Sequence, residues 1–184
     1  MGVPAYEWSP KAKTQHVLED LQERWGEIRQ DIRPPLTVLV HGVLSQNTSD
    51  INSARAFESL MDEFGDWESV ADAPQEAIAE TIKSGGLAAQ KSESIRLIMD
   101  WLAERDGDYS LDFMRKWSNP EIEEQLMEFK GVGVKTARLT LLFGFDRPVF
   151  VVDTPVHRVA KRIGMIPENC GREKAHDVLQ DLIP

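Results

Sequence analysis

Apolar residues recur along this chain at intervals of three and four, the spacing of helices that each hide one face. Leu18, Leu21, Trp25, Ile28 and Ile32 form one stripe, and Pro34-Pro35 is its predicted stop. Residues 36–46, LTVLVHGVLSQ, are apolar on nearly every side, as a central buried helix requires. Asp50 is a predicted cap for a helix with Phe57, Leu60, Met61 and Phe64 on one face and Gly65 at its end. A short helix is predicted from Pro74 to Ser84-Gly85-Gly86. A longer one carries Ile95, Ile98, Met99 and Leu102 and closes at Asp106-Gly107. Ile122, Leu126 and Phe129 predict a helix reaching Gly131, and another starts near Val134 and runs to about Phe143. Two further stripes are Val156, Val159, Ala160, Ile163 and Ala175, Val178, Leu179, Leu182.

Only Val149–Val152 has the pattern of a strand, and one such run cannot make a sheet. The fold class is therefore all-α. Seams at Pro34-Pro35 and Asp146–Pro148 divide the chain into a central six-helix lobe, 36–147, and a second helical lobe built from 1–35 plus 148–184.

Composition narrows the class. Of 184 residues, 41% are hydrophobic and 28% charged, a globular balance. No apolar run approaches the roughly 20 residues of a membrane span, so no membrane partner is expected. The opening residues, MGVPAYEWSPKAKTQ, lack the apolar stretch of a secretory signal. A single cysteine, Cys170, rules out an internal disulfide or a cysteine-based metal cluster within these residues and fits a reducing compartment. The net charge of −10 disfavours a polyanionic partner at first sight. Yet Lys130, Lys135, Arg138, Arg147, Arg158, Lys161 and Arg162 face only Asp146 and Asp153 in their stretch, a local +5 against −15 elsewhere. Such a patch can meet DNA while the acidic body discourages nonspecific adhesion, although charge clusters are more often merely solvated.

The chemistry concentrates in residues 126–164. Gly131-Val132-Gly133 leaves room only for a tight hairpin between two helices, where glycine permits positive φ and close backbone approach. The amides opening the next helix, with its dipole behind them, suit one DNA phosphate; a bare GxG more often marks an ordinary corner. Lys135 falls in that helix's first turn, where the dipole opposes a positive charge and depresses an amine's pKa; partial burial would add to this. A neutral lysine can attack carbon and form a Schiff base, whereas most lysines are solvated surface groups. Asp153 precedes Thr154-Pro155 and is placed to cap the next helix, a role that can be purely structural.

Taken together, hairpin, helix-start lysine, apolar connector and Asp-Thr cap resemble the helix-hairpin-helix DNA glycosylase superfamily. Within it, GVGVKTA (131–137) and VVDTPVHRVAKRIG (151–164) are similar to the endonuclease III family, and LSQNTSD (44–50) and GLAAQKSESI (86–95) match further family segments in order. The resemblance covers about 36–165. It implies a bifunctional DNA glycosylase/AP lyase of base-excision repair that acts on oxidised pyrimidines in duplex DNA, in a cleft between two lobes. Lys135 would be the nucleophile and Asp153 the essential carboxylate, facing one another across that cleft. Gln46 would fill the gap left by an extruded base and Leu87 would wedge into the stack from the other side. Lys130, Gly131, Gly133 and Thr136 would complete the DNA contacts, with a monovalent cation on the hairpin carbonyls. The same resemblance implies a monomer, a bacterial-type cytoplasmic setting at the nucleoid, and a [4Fe-4S] cluster if the protein continues past Pro184.

Three features depart from the family pattern. Lys130 stands where proline is usual, loosening the hairpin but adding charge. Pro155 replaces a frequent histidine. The sequence stops at Leu182-Ile183-Pro184, where the family continues into a helix and a four-cysteine loop that the upstream Cys170 does not match, so the second lobe is expected to be incomplete. Two other readings remain: a monofunctional mismatch glycosylase, which would not need Lys135, and a non-enzymatic helix-hairpin-helix DNA clamp, which would need neither Lys135 nor Asp153.

Overall fold

The computed structural model describes residues 8–27, 31–105 and 107–183 and is helical throughout them, with no strand. The chain divides into two compact units, one taken from the stretch up to Asp31 and from Pro148 onward, the other Ile32–Arg147. Ile32–Pro35 therefore belongs with the larger unit rather than with the terminal lobe. Part of the reason is that the Arg33 amide donates to the Phe143 carbonyl at 2.9 Å.

In the larger unit, helix α2 (Pro35–Leu44) buries seven of its ten residues and is the central element the sequence predicts. Its main partner is α8 (Val134–Phe143). The two approach so closely at Gly42 that a Cβ there would lie 2.8 Å from Thr136 Cγ2. Around them stand α3 (Asp50–Phe64), α4 (Trp67–Asp72), α5 (Gln75–Thr81), α6 (Ala88–Arg105) and α7 (Asn119–Met127). Their shared core includes Leu39, Val40, Leu60, Ile78, Ile95, Ile98, Met99, Leu102, Ile122 and Leu141.

Two expectations need correction here. Seven described helices, not six, make up this unit: α4 is too short for periodicity to reveal it, and Asp66 starts it by accepting from the Ser69 amide at 2.8 Å. The cap of α3 is Ser49, which accepts from the Asn52 amide; Asp50 is the first helical residue.

The smaller unit contains α1 (Pro10–Trp25), α9 (Thr154–Arg162) and α10 (Arg172–Gln180). Val152, Ala160, Met165, Ile166, Cys170, Ala175 and Leu179 form its core, against which Val17, Phe150, Val156 and Val178 pack. The predicted stripe on the first helix does not continue to Ile32. Gly26, at φ +70, ends α1 by donating to the Gln22 carbonyl, well before Pro34-Pro35. Leu21 and Trp25 are exposed, and the helix turns Thr14 and Val17 inward instead. Ile28, Asp106 and Pro184 lie outside the described residues. The strand-like run before Asp153 is an extended connector tied to α10 by side chains. The Phe150 amide donates to Gln180 Oε1 at 2.5 Å and the Val152 amide to His176 Nδ1 at 3.2 Å.

Candidate active site and nucleic-acid interface

The turn between α7 and α8 is the predicted hairpin, and its two glycines do different work. Gly131 has φ +84, which favours glycine, and a Cβ on it would come within 2.8 Å of Ser94 Oγ on α6, so that hydroxyl would have to shift. Gly133 caps α8 in an extended conformation with nothing within 4 Å of where its Cβ would be. No side chain caps α8. Its first amides are thus left to an outside acceptor, in front of a positive dipole end. Phe129 anchors the hairpin from below, its ring edge-on to Trp101 at 5.3 Å.

Lys135 occupies the first turn of α8 and is exposed. The partial burial considered from sequence does not arise in this conformation. Its neighbour Thr136 is 5% exposed. The Thr136 side chain is packed against Gly42.

Gln46 lies just beyond the end of α2 and is half-buried. Its Nε2 donates to the Gly131 carbonyl at 2.6 Å and lies 3.4 Å from Thr136 Oγ1. The residue expected to enter DNA is therefore folded onto the hairpin. A cation on the Gly131 carbonyl would have to share that oxygen with the Gln46 amide. Leu87 is 47% exposed, so it is not a core residue. It also has φ +51, and Asn47, beside Gln46, has φ +50. Two of the three described non-glycine residues in the left-handed region thus fall in the loops that carry the candidate wedges. Such strain persists only where surrounding structure imposes it.

The basic patch is weaker than its sequence suggests. Lys130 pairs with Glu93 at 2.5 Å and Arg138 with Glu123 at 3.0 Å. Arg147 is turned to the Arg115 carbonyl at 2.8 Å. Glu93 and Glu123 lie outside the basic stretch and could not be paired with it from sequence.

In the smaller unit, Asp153 is the N-cap of α9, as predicted, with Oδ1 accepting from the Val156 amide at 2.8 Å. Arg172 donates to Thr154 Oγ1 at 3.0 Å. His176 fixes the connector just before the aspartate. Cys170 is buried in the apolar core. No group of three or more metal-binding side chains occurs among the described residues, and these residues do not supply a donor set for a four-thiolate cluster.

One site residue was missed. Lys91, inside GLAAQKSESI, is 3% exposed and donates to the carbonyls of Leu44 and Gly85 at 2.7 and 2.8 Å. Burial holds its pKa below the ordinary 10.5. Its position four residues before Ile95, on the stripe continued by Ile98 and Leu102, was the available signal.

An all-helical fold with a glycine hairpin, an uncapped helix start and a lysine upon it defines a helix-hairpin-helix protein. Residues 40–184 match the HhH-GPD superfamily of base excision DNA repair proteins, and the chain belongs to that superfamily. It is 34% identical over 150 residues to endonuclease III of Thermotoga maritima, covering 82% of this chain and 66% of that protein. It is 39% identical over 146 residues to a candidate DNA glycosylase of Arabidopsis thaliana, covering 79% of this chain and 50% of that protein. The chain thus spans one half to just under two thirds of these relatives. Among solved structures, a trapped endonuclease III–DNA covalent intermediate shares the fold with a TM-score of 0.78 at 24% identity, over 95% of this chain and 78% of that one. No described helix is long and apolar enough to cross a membrane.

Proposed function

We propose that this chain is the catalytic helical portion of a bifunctional DNA glycosylase/AP lyase that removes oxidised pyrimidines from duplex DNA and then cuts the strand. The observation that carries the reading is Lys135, an exposed amine in the first turn of the uncapped hairpin helix. The identity to endonuclease III and the capping aspartate support it.

The damaged nucleotide leaves the stack. As its N-glycosidic bond breaks, the sugar becomes cationic, and the Asp153 carboxylate stabilises that charge. The base departs with the bonding electron pair, and Lys135 Nζ gives up a proton to solvent as it forms the new bond to C1′. The adduct opens to an imine, and loss of the C2′ proton expels the 3′ phosphate by β-elimination. The hairpin amides hold a phosphate, and the protein works as a monomer on duplex DNA.

The test is sodium borohydride trapping with an abasic duplex. Wild type should give a covalent adduct and Lys135→Gln none, with unchanged folding because the side chain is exposed. No wild-type adduct, or an undiminished one in the variant, overturns the lyase. Base excision without an adduct would instead identify a monofunctional glycosylase.

A further inference from the structure

Lys91 lies in the first turn of α6, where a positive charge faces that helix's own dipole unfavourably. Its ammonium is nonetheless buried, because it points at two carbonyls from elsewhere in the chain. Leu44 is the last residue of α2, at the negative end of that helix, and Ser45-Gln46 follow directly. Gly85 ends the 3₁₀ turn Lys83–Gly85, and Gly86-Leu87 follow directly. One ammonium therefore joins the root of the Gln46 loop to the root of the Leu87 loop. The junction is tight: a Cβ on Gly85 would meet Ala56 Cβ at 3.1 Å, Leu44 O at 3.8 Å and Lys91 Nζ at 3.9 Å. The left-handed residues Asn47 and Leu87 lie just beyond the two fastened points. A neutral side chain of similar length would leave both carbonyls without this donor.

We propose that Lys91 is a positioning residue for entry into DNA, its buried ammonium fastening the Gln46 loop to the Leu87 loop so that both side chains enter the duplex at a fixed spacing. This rests on the DNA-repair reading above but not on the lyase chemistry. Lys91 touches no reacting atom. It acts only where a stacked duplex must be opened.

The experiment compares two substrates. Lys91→Met, with folding checked by circular dichroism, is assayed for borohydride trapping on abasic single-stranded and duplex DNA. In parallel, 2-aminopurine placed opposite a tetrahydrofuran abasic analogue reports unstacking at saturating protein. The expected result is unchanged single-strand trapping, a loss of about 10- to 100-fold on the duplex, and loss of the fluorescence rise. Equal loss on both substrates assigns Lys91 to general stability, and no loss on either removes its role. Both results overturn the proposal. If Lys91→Met does not fold, Gly85→Ala, which keeps the ammonium but presses on Ala56, should give a milder version of the same selective defect. A non-selective or absent defect there also overturns the proposal. Failure of wild type to trap on either substrate would count against the lyase alone, because the fluorescence comparison still reads the positioning role.

Discussion

Gln46 Nε2 donates to the Gly131 carbonyl at 2.6 Å, joining the loop after α2 to the glycine hairpin across 85 residues of sequence. In this conformation the side chain expected in the DNA occupies the hairpin expected on the phosphate. On the proposed function, engaging DNA would exchange this hydrogen bond for another set of contacts. An exposed neutral bond of this kind contributes about 0.5–1.5 kcal/mol, which is small enough to give up on binding.

Gln46→Ala should therefore cost little stability, about 1 kcal/mol or less. It should weaken binding to an abasic duplex by about 5- to 30-fold, the loss of roughly 1–2 kcal/mol of gap-filling contact. Fluorescence anisotropy with abasic and intact duplexes separates the effects. Equal affinities for wild type and variant would make Gln46 a hairpin brace only.

The hairpin glycines should separate stability from binding. Gly131→Ala forces a left-handed residue at φ +84 against Ser94 Oγ and should destabilise the protein by about 1–3 kcal/mol in urea unfolding. Gly133→Ala meets open space in an extended conformation and should unfold like wild type. Its added methyl stands beside the uncapped amides, so DNA affinity should fall instead. A Gly133 variant with full affinity would place the phosphate elsewhere.

Asp153 has a structural role and a proposed chemical one, and two substitutions distinguish them. Asn caps helices about as well as Asp, whereas Ala loses about 1 kcal/mol. Asp153→Asn should leave thermal unfolding near wild type yet slow base excision by about 10²–10³-fold. Undiminished excision in that variant would reduce the carboxylate to its bond with the Val156 amide.

Acid should destabilise the fold in two windows. Burial, then the Arg33 guanidinium, hold the His41 pKa below the ordinary 6.5, with Asp50 opposing them. The unfolded chain therefore binds this proton more readily. The contribution is whole above 6.5 and is lost as pH falls through the folded value. The Asp66 carboxyl is held below 3.8 by the Ser69 amide and hydroxyl, and Glu121 below 4.5 by the Ser118 hydroxyl and amide. They add a second loss at lower pH. Urea unfolding at pH 7.5 and 5.5 should show the first loss in wild type and a smaller one in His41→Gln; identical slopes would remove His41 as its source.

The helical class, the buried character of α2, the hairpin and the Asp153 cap were all legible in the sequence. Each depends on neighbours a few residues away: an apolar period, a glycine pair, a carboxylate three residues before an amide. The end of the first helix was misplaced because Gly26 stops it locally while the apolar stripe runs on. Helix α4 escaped because six residues carry no period.

What only the tertiary structure decided are contacts between residues distant in sequence. Sequence spacing does not say which carbonyl an ammonium will reach, so the burial of Lys91 between Leu44 and Gly85 appears only after folding. The pairing of Lys130 with Glu93 likewise neutralises part of a patch that counts as basic along the chain. Hydrogen bonds and ion pairs act over a few ångströms of space, and the chain sets that distance only once its helices have packed.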